Sequence, residues 1–323
     1  MPTTPRGPQF GSICQVRITK QPTAALALLS VACLSACSPE AAQDTATSAE
    51  SVAAAAPVGE ASASDSYSNY VALGDSYASM GTKDDFKPGS PDFCNRSVDN
   101  YAATVANDED VELAEDVTCQ GSTIDNILGT RDTGEEILPP QIEAVTPDTD
   151  LITLSIGGND LGFADIARCV NSDPTTSDCQ DQLGPQMEER LSRLPSRLDD
   201  LYAAIREQHG GTMDGLTVVT TGYTPLVTGR DECEEATKFS SRDRFWIAAL
   251  TLSLDTLLGS AAERNGATFV LADNTFDDLA QHTVCAPIED RFVDLTGDET
   301  DSYPLHPTPR GQQAMAEAVL RTI

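Results

Sequence analysis

The sequence predicts an α/β fold, a five-stranded parallel sheet with helices on both faces. Short apolar runs alternate with longer stretches of helical periodicity along residues 69–323. One run, "DLITLSIGGND" (150–160), is a buried strand rich in β-branched residues and stopped by two glycines. Another segment, "MEERLSRLPSRLDDLYAAIREQ", sets Leu191, Leu194, Leu198, Leu201 and Ile205 at helical spacing. No internal repeat is present.

In chain order, "NYVALGD" (69–75) reads as the first strand. Ser97 opens a helical stretch, "SVDNYAATVAN", and "VELAEDVTC" (111–119) is the second strand. Strand 150–160 is followed by a helix over "LGFADIARCV". The amphipathic segment comes next, and Pro195 within it is expected to kink or break the helix. "LTVVTTGY" (216–223) is the fourth strand. "SRDRFWIAALTLSLDTLLGSAAERNG" is a long helix ending at a glycine, "ATFVLAD" (267–273) the fifth strand, and "PRGQQAMAEAVLRTI" the final helix. In such sheets ligands gather at the carboxyl ends of the strands.

Hydrophobic residues make up 40% of the 323-residue chain, enough for one large core. Acidic residues outnumber basic ones 51 to 20, and the formal net charge is −31. That excludes a basic footprint for nucleic acid and electrostatic docking on anionic lipid. It fits an exported protein, and also one adapted to salty surroundings that screen its charges.

The N-terminus reads as a signal. A basic leader with Arg6, Arg17 and Lys20 precedes the apolar run "TAALALLSVACLSAC", too short to span a membrane as a stable helix. Leu34-Ser35-Ala36-Cys37 resembles the lipobox of bacterial lipoproteins, which implies cleavage before Cys37 and lipidation of its thiol. Residues 1–36 are therefore expected to be a lipoprotein-type signal peptide, the alternative being an ordinary secretory signal with incidental cysteines. Residues 37–68, rich in Ala, Ser, Glu and Asp, cannot bury enough surface to offset ordering entropy and read as a flexible tether. Residues 69–323 form the folded domain, expected as an extracellular monomer whose one link to the membrane is the lipid.

Of nine cysteines, six fall in the folded region: Cys94, Cys119, Cys169, Cys179, Cys233 and Cys285. An even number in an exported domain points to three disulfides. No C-x-x-C pair occurs and histidines are scarce, which disfavours zinc. Of fifteen possible pairings the sequential one (94–119, 169–179, 233–285) is simplest, each bridge stapling one connection.

The strand ends carry the chemistry. The first strand runs into "VALGDSYAS", placing Ser76 at a strand-to-helix turn, as a nucleophile or as a helix cap. After the second strand comes "TCQGST", where Gly121 lets a backbone N–H approach a ligand or simply makes a turn. The third strand ends in "SIGGND", with Asn159 an amide donor or an Asx turn. His306 lies in "DSYPLHPTPRG", before the last helix. No G-x-S-x-G elbow is present, which disfavours a typical α/β-hydrolase. His209, at a helix C-terminus, and His282, in "AQHTVCAP", read as structural.

Taken together, "GDSYAS", "CQGST", "GGND" and "LHPTPRGQ" resemble, in order, the four blocks of the GDSL, or SGNH, hydrolase family. The resemblance is greatest to actinobacterial exported esterases and lipases with three sequential disulfides. It implies a flavodoxin-like three-layer sandwich and a serine esterase or lipase. In that scheme Ser76 attacks an ester carbonyl and His306 moves the proton. The N–H groups of Ser76 and Gly121 and the amide of Asn159 hold the oxyanion, with no metal or cofactor. Acyl transfer and deacylation of acyl sugars or phospholipids share this machinery, and a catalytically silent surface-binding protein is the rival of another class. Asp75 and Asp160 are expected to orient their loops.

One position departs from the family pattern. Many members carry Asp three residues before the histidine, where this chain has Tyr303. Either the backbone carbonyl of Tyr303 orients His306, or Asp301 or Asp298 swings in. Segments 80–96, 129–148, 171–187 and 223–242 are the expected pocket walls.

Overall fold

A computed structural model describes residues 66–172 and 178–323. The leader, Cys37 and the tether up to residue 65 lie outside the described residues. The first strand, β1 (Tyr67–Gly74), begins two residues ahead of the expected domain start. Tyr67 and Ser68 are recruited because Tyr67 N donates to the Asp110 carbonyl and both N–H and hydroxyl of Ser68 donate to Asp150.

The remaining main strands are β2 (Val111–Asp116), β3 (Leu151–Ser155), β4 (Thr217–Thr221) and β5 (Thr268–Val270). They form one sheet in the order β2-β1-β3-β4-β5, every neighbouring pair parallel. That is the flavodoxin-like order. Side chains alternate across it. Val71, Leu73, Ile152, Leu154 and Val218 face one core, while Tyr70, Ala72, Leu151 and Val219 face the other.

The helices are α1 (Ser76–Ser79), α2 (Tyr101–Val105), α3 (Ile124–Leu128), α4 (Gly158–Leu161), α5 (Phe163–Ser172), α6 (Cys179–Gln208), α7 (Ser241–Arg264), α8 (Phe276–Leu279) and α9 (Pro309–Leu320). α6 and α7 pack on the first core, α2 and α9 on the second, completing three layers. The helix expected from Ser97 starts instead at Tyr101, because the Asn100 side chain caps it by accepting from Ala103 N.

Pro195 does not break α6, which runs through both Pro185 and Pro195. An interior proline costs about 3 kcal/mol. Leu194, Leu198, Leu201 and Ile205 are all buried on one face, and each contributes roughly 1.5–3 kcal/mol. Burial outweighs the lost bond.

The three disulfides pair sequentially: Cys94–Cys119, Cys169–Cys179 and Cys233–Cys285. The second fastens α5 to the first residue of α6. Cys169–Cys179 closes a separation of 10 residues and Cys233–Cys285 one of 52. The chain-entropy model then makes the longer bridge worth about 1.5 kcal/mol more. Replacing Cys233 and Cys285 by serine is expected to lower unfolding stability by that much more than replacing Cys169 and Cys179, as read by urea denaturation.

Candidate active site

In a sheet of this order the connections from β1 and β3 leave on opposite faces, opening a crevice at their carboxyl ends. Ser76 follows β1 and Asn159 follows β3, so the two sit across that crevice. Gly74 makes the close approach possible. A Cβ there would lie 2.6 Å from the Ser155 carbonyl oxygen, which accepts from Asp75 N at 2.9 Å.

A cavity of about 280 Å³ opens at this point, and Asp75, Ser76, Asn159 and His306 line it. Its remaining wall is largely apolar, from α5 (Phe163, Ile166, Val170) and α7 (Ile247), with Phe239 and Leu226. Of the expected walls, 171–187 contributes Asn171 and 223–242 contributes Tyr223, Thr224, Leu226 and Phe239. Segments 80–96 and 129–148 do not line it. They border a second cavity instead, beside the Cys94–Cys119 bridge.

Gly121 is not among the lining residues. It stands one residue from Ser122, whose carbonyl accepts from Asn159 Nδ2 at 3.0 Å, in a left-handed conformation (φ 66°) that favours glycine. The Arg131 guanidinium donates to the Gln120 carbonyl at 2.5 Å and stacks on Phe93, bracing this loop from outside.

His306 is oriented by a carbonyl, but that of Pro304, not Tyr303. Nδ1 lies 2.7 Å from the Pro304 oxygen. Leu305 adopts a left-handed φ of 67°, which turns the carbonyl two residues back under the ring. The Tyr303 carbonyl accepts from His306 N instead, at 3.2 Å. Asp301 and Asp298 make no contact with the ring among the described residues. The Asp301 carbonyl accepts from Lys83 N, and Asp298 N donates to Thr296. Burial lowers the His306 pKa, partly offset by the Pro304 bond. With Nδ1 protonated against a carbonyl, Nε2 is left as an acceptor.

Asp75 caps α1 by accepting from Tyr77 N at 2.9 Å and from the Tyr223 hydroxyl at 2.7 Å. Burial pushes its carboxyl up to about 7, against the pull of those bonds. Asp160 accepts from Ile124 N at 3.1 Å and pairs with Arg197, tying the "GGND" loop to α3 and α6; desolvation raises its pKa. His209 Nδ1 bonds the Thr212 carbonyl at 2.9 Å. His282 is engaged by the Asp290 carbonyl and Asp273 and stacks on Phe292. Neither lines the cavity.

Two residues that sequence reasoning missed bridge the loops. Gln141 accepts from Gly74 N at 2.8 Å and donates to both the Gly74 carbonyl and Ser122 Oγ at 3.0 Å. Tyr223 links Asp75 to Gly158 N. No residue-type pattern marks a lone Gln or Tyr for such a role. The hint was positional for Tyr223, at the end of β4.

A flavodoxin-like sheet that brings a serine, an amide and a histidine to one crevice is an arrangement suited to a hydrolase. The model of the GDSL-like lipase/acylhydrolase family matches residues 72–314, and the chain belongs to that family. Lipase 2 of Streptomyces coelicolor is 28% identical over 261 residues, covering 77% of this chain and 83% of that protein. The extracellular lipase of Streptomyces rimosus superposes with a TM-score of 0.64 at 27% identity, over 79% of this chain and 99% of that one. Phospholipase A1 of Streptomyces albidoflavus NA297 also gives 0.64, at 26% identity over 80% and 99%.

The raised pKa of Asp75 has a consequence for stability. Between the unfolded value of 3.8 and about 7 the folded state holds more protons than the unfolded state at this group. The Asp75 contribution therefore favours the fold below about pH 4 and is lost as pH rises to 7, by a few kcal/mol. Asp75→Asn is expected to gain stability relative to wild type over that window, in paired thermal unfolding curves at pH 4, 5.5 and 7.

Proposed function

We propose that the protein is an exported serine esterase or lipase, lipid-anchored at Cys37, that hydrolyses carboxylic esters with an apolar acyl chain. The observation that carries this reading is the convergence of Ser76, Asn159 and His306 on one largely apolar cavity at the sheet's switch point. The extracellular lipase from Streptomyces rimosus supports export.

In this reading His306 Nε2 takes the proton of Ser76 Oγ as the oxygen attacks the ester carbonyl. Nδ1 keeps its proton on the Pro304 carbonyl, so the imidazolium is steadied by a dipole and not by a buried carboxylate. The oxyanion is held by Ser76 N–H, which α1 leaves without an intrahelical acceptor, and by the Asn159 amide once it turns from Asp75 Oδ2, 3.5 Å away, with Gly121 N–H, from just outside the cavity lining, as the third donor that the family resemblance implies. His306 then protonates the leaving alcohol, and water repeats the sequence on the acyl-enzyme. Phospholipid deacylation is the second reading, supported by the likeness to the Streptomyces albidoflavus phospholipase A1. Acyl transfer would use the same groups with another acceptor.

Two measurements test this. Ser76→Ala is expected to reduce hydrolysis of p-nitrophenyl butyrate and octanoate by at least about 10³-fold; rates equal to wild type would leave only the catalytically silent binding protein. Asp298→Asn and Asp301→Asn are expected to keep kcat within about threefold, because neither acid orients the base. A loss as large as that of His306→Ala would replace the Pro304 dyad with a triad.

A further inference from the structure

Tyr223 stands outside all four sequence blocks, yet its hydroxyl joins two of them. It donates to Asp75 Oδ2 at 2.7 Å, next to Ser76, and accepts from Gly158 N at 3.0 Å, next to Asn159. The side chain is 1% exposed and cannot swing away. Its backbone N is held by the buried Asp255 of α7 at 2.9 Å. Its ring lies 4.6 Å from that of Tyr77 and meets Phe163 edge-on at 6.0 Å. The fit extends to the glycine of the third block: a Cβ on Gly158 would come 3.0 Å from Tyr223 Cε1. Gly158 is thus the clearance that lets the phenol reach across.

We propose that the Tyr223 hydroxyl is a positioning group for the reaction, setting the distance between the Ser76 turn and the Asn159 amide and tying that distance to the charge of Asp75. The inference rests on the esterase reading above. A hydroxyl has one proton. While Asp75 is a carboxylate, that proton goes to Oδ2 and the oxygen stays free to accept from Gly158 N. A proton on Oδ2 would need an acceptor in turn, and the Tyr223 oxygen, already bonded to Gly158, would have to serve both. The Asn159 loop would then shift against Ser76. Asn159 Nδ2 already lies 3.5 Å from the same carboxyl oxygen. Donors aimed at an oxyanion tolerate little displacement, and a misplacement near 1 Å can cost about 10²-fold in rate.

The groups that face Asp75 are few. From the loop after β4 comes Tyr223, from α1 Tyr77, and from the "GGND" loop Asn159 and Asp160, whose negative charge raises the Asp75 pKa. Tyr101 of α2 feels the Asp75 charge from the other face of the sheet, and His306 shares the cavity. The Tyr223 bond lowers the Asp75 pKa, so weakening it moves the titration up and strengthening it moves the titration down.

The test compares wild type, Ser76→Ala, Tyr223→Phe and the protein carrying 3-fluorotyrosine at position 223, a stronger donor of nearly the same shape. Rates on p-nitrophenyl octanoate are normalised to sites titrated with a fluorophosphonate. Tyr223→Phe is expected to lower kcat on the order of 10–100-fold with KM within about threefold, and to move the acidic limb of kcat/KM to higher pH. Fluorotyrosine is expected to move that limb to lower pH, and it decides the matter if the phenylalanine variant does not fold. Unmoved limbs, or a kcat for Tyr223→Phe within about threefold of wild type, overturn the proposal while leaving the esterase reading intact. Equal activity of wild type and Ser76→Ala takes down both.

Discussion

The meeting of β1 and β3 at Gly74 and Ser155 is the constraint on which the rest depends. The strands pair in parallel up to that last register, and only a residue without a side chain can bring its Cα so near the Ser155 carbonyl. The same carbonyl then takes the Asp75 N–H, so the turn into α1 starts from a fixed point. Everything at the crevice is measured from there. Gln141 clips the turn to the Gly121 loop on one side, and Tyr223 clips it to the Gly158 loop on the other. Three loops that follow three different strands are thereby referenced to one pair of backbone atoms.

The α/β class was legible in the sequence, because apolar strand runs alternate with stretches of helical periodicity, while the sheet order was legible only through the family resemblance. The four motif residues were legible because each occupies a strand end or the last loop. What escaped falls into two kinds. Pro195 was read by local chemistry alone, while α6 is held by a buried leucine face that acts over the whole helix. The orienter of His306 was placed one residue out, since the choice between the Tyr303 and Pro304 carbonyls turns on the left-handed backbone of Leu305, which no side chain there announces. Two of the four expected wall segments, 80–96 and 129–148, face away for a similar reason, and α5 and α7 supply much of the wall in their place.

Charge is partitioned with some economy in so acidic a chain. Among the described residues no lysine or arginine lines the cavity. Arg131 is spent on a carbonyl and an aromatic face, Arg197 on Asp160 and Asp125. Both act as struts for backbone, which suits the planar guanidinium with its several donors. The interior of the site is left to neutral dipoles and four titratable groups, Asp75, His306, Tyr77 and Tyr223, whose charged forms burial opposes.

Ser76 and His306 stand near opposite ends of the described chain, and the Pro304 carbonyl that steadies the imidazole belongs to the last loop before α9. Gln312 of α9 reaches back to the α1 turn, donating to the Tyr77 and Met80 carbonyls and accepting from Tyr101 N. The Ser76 turn and the loop that carries His306 are therefore tied through α9, across a separation of 235 residues. Loosening α9 alone, with the sheet intact, would part the imidazole from the serine.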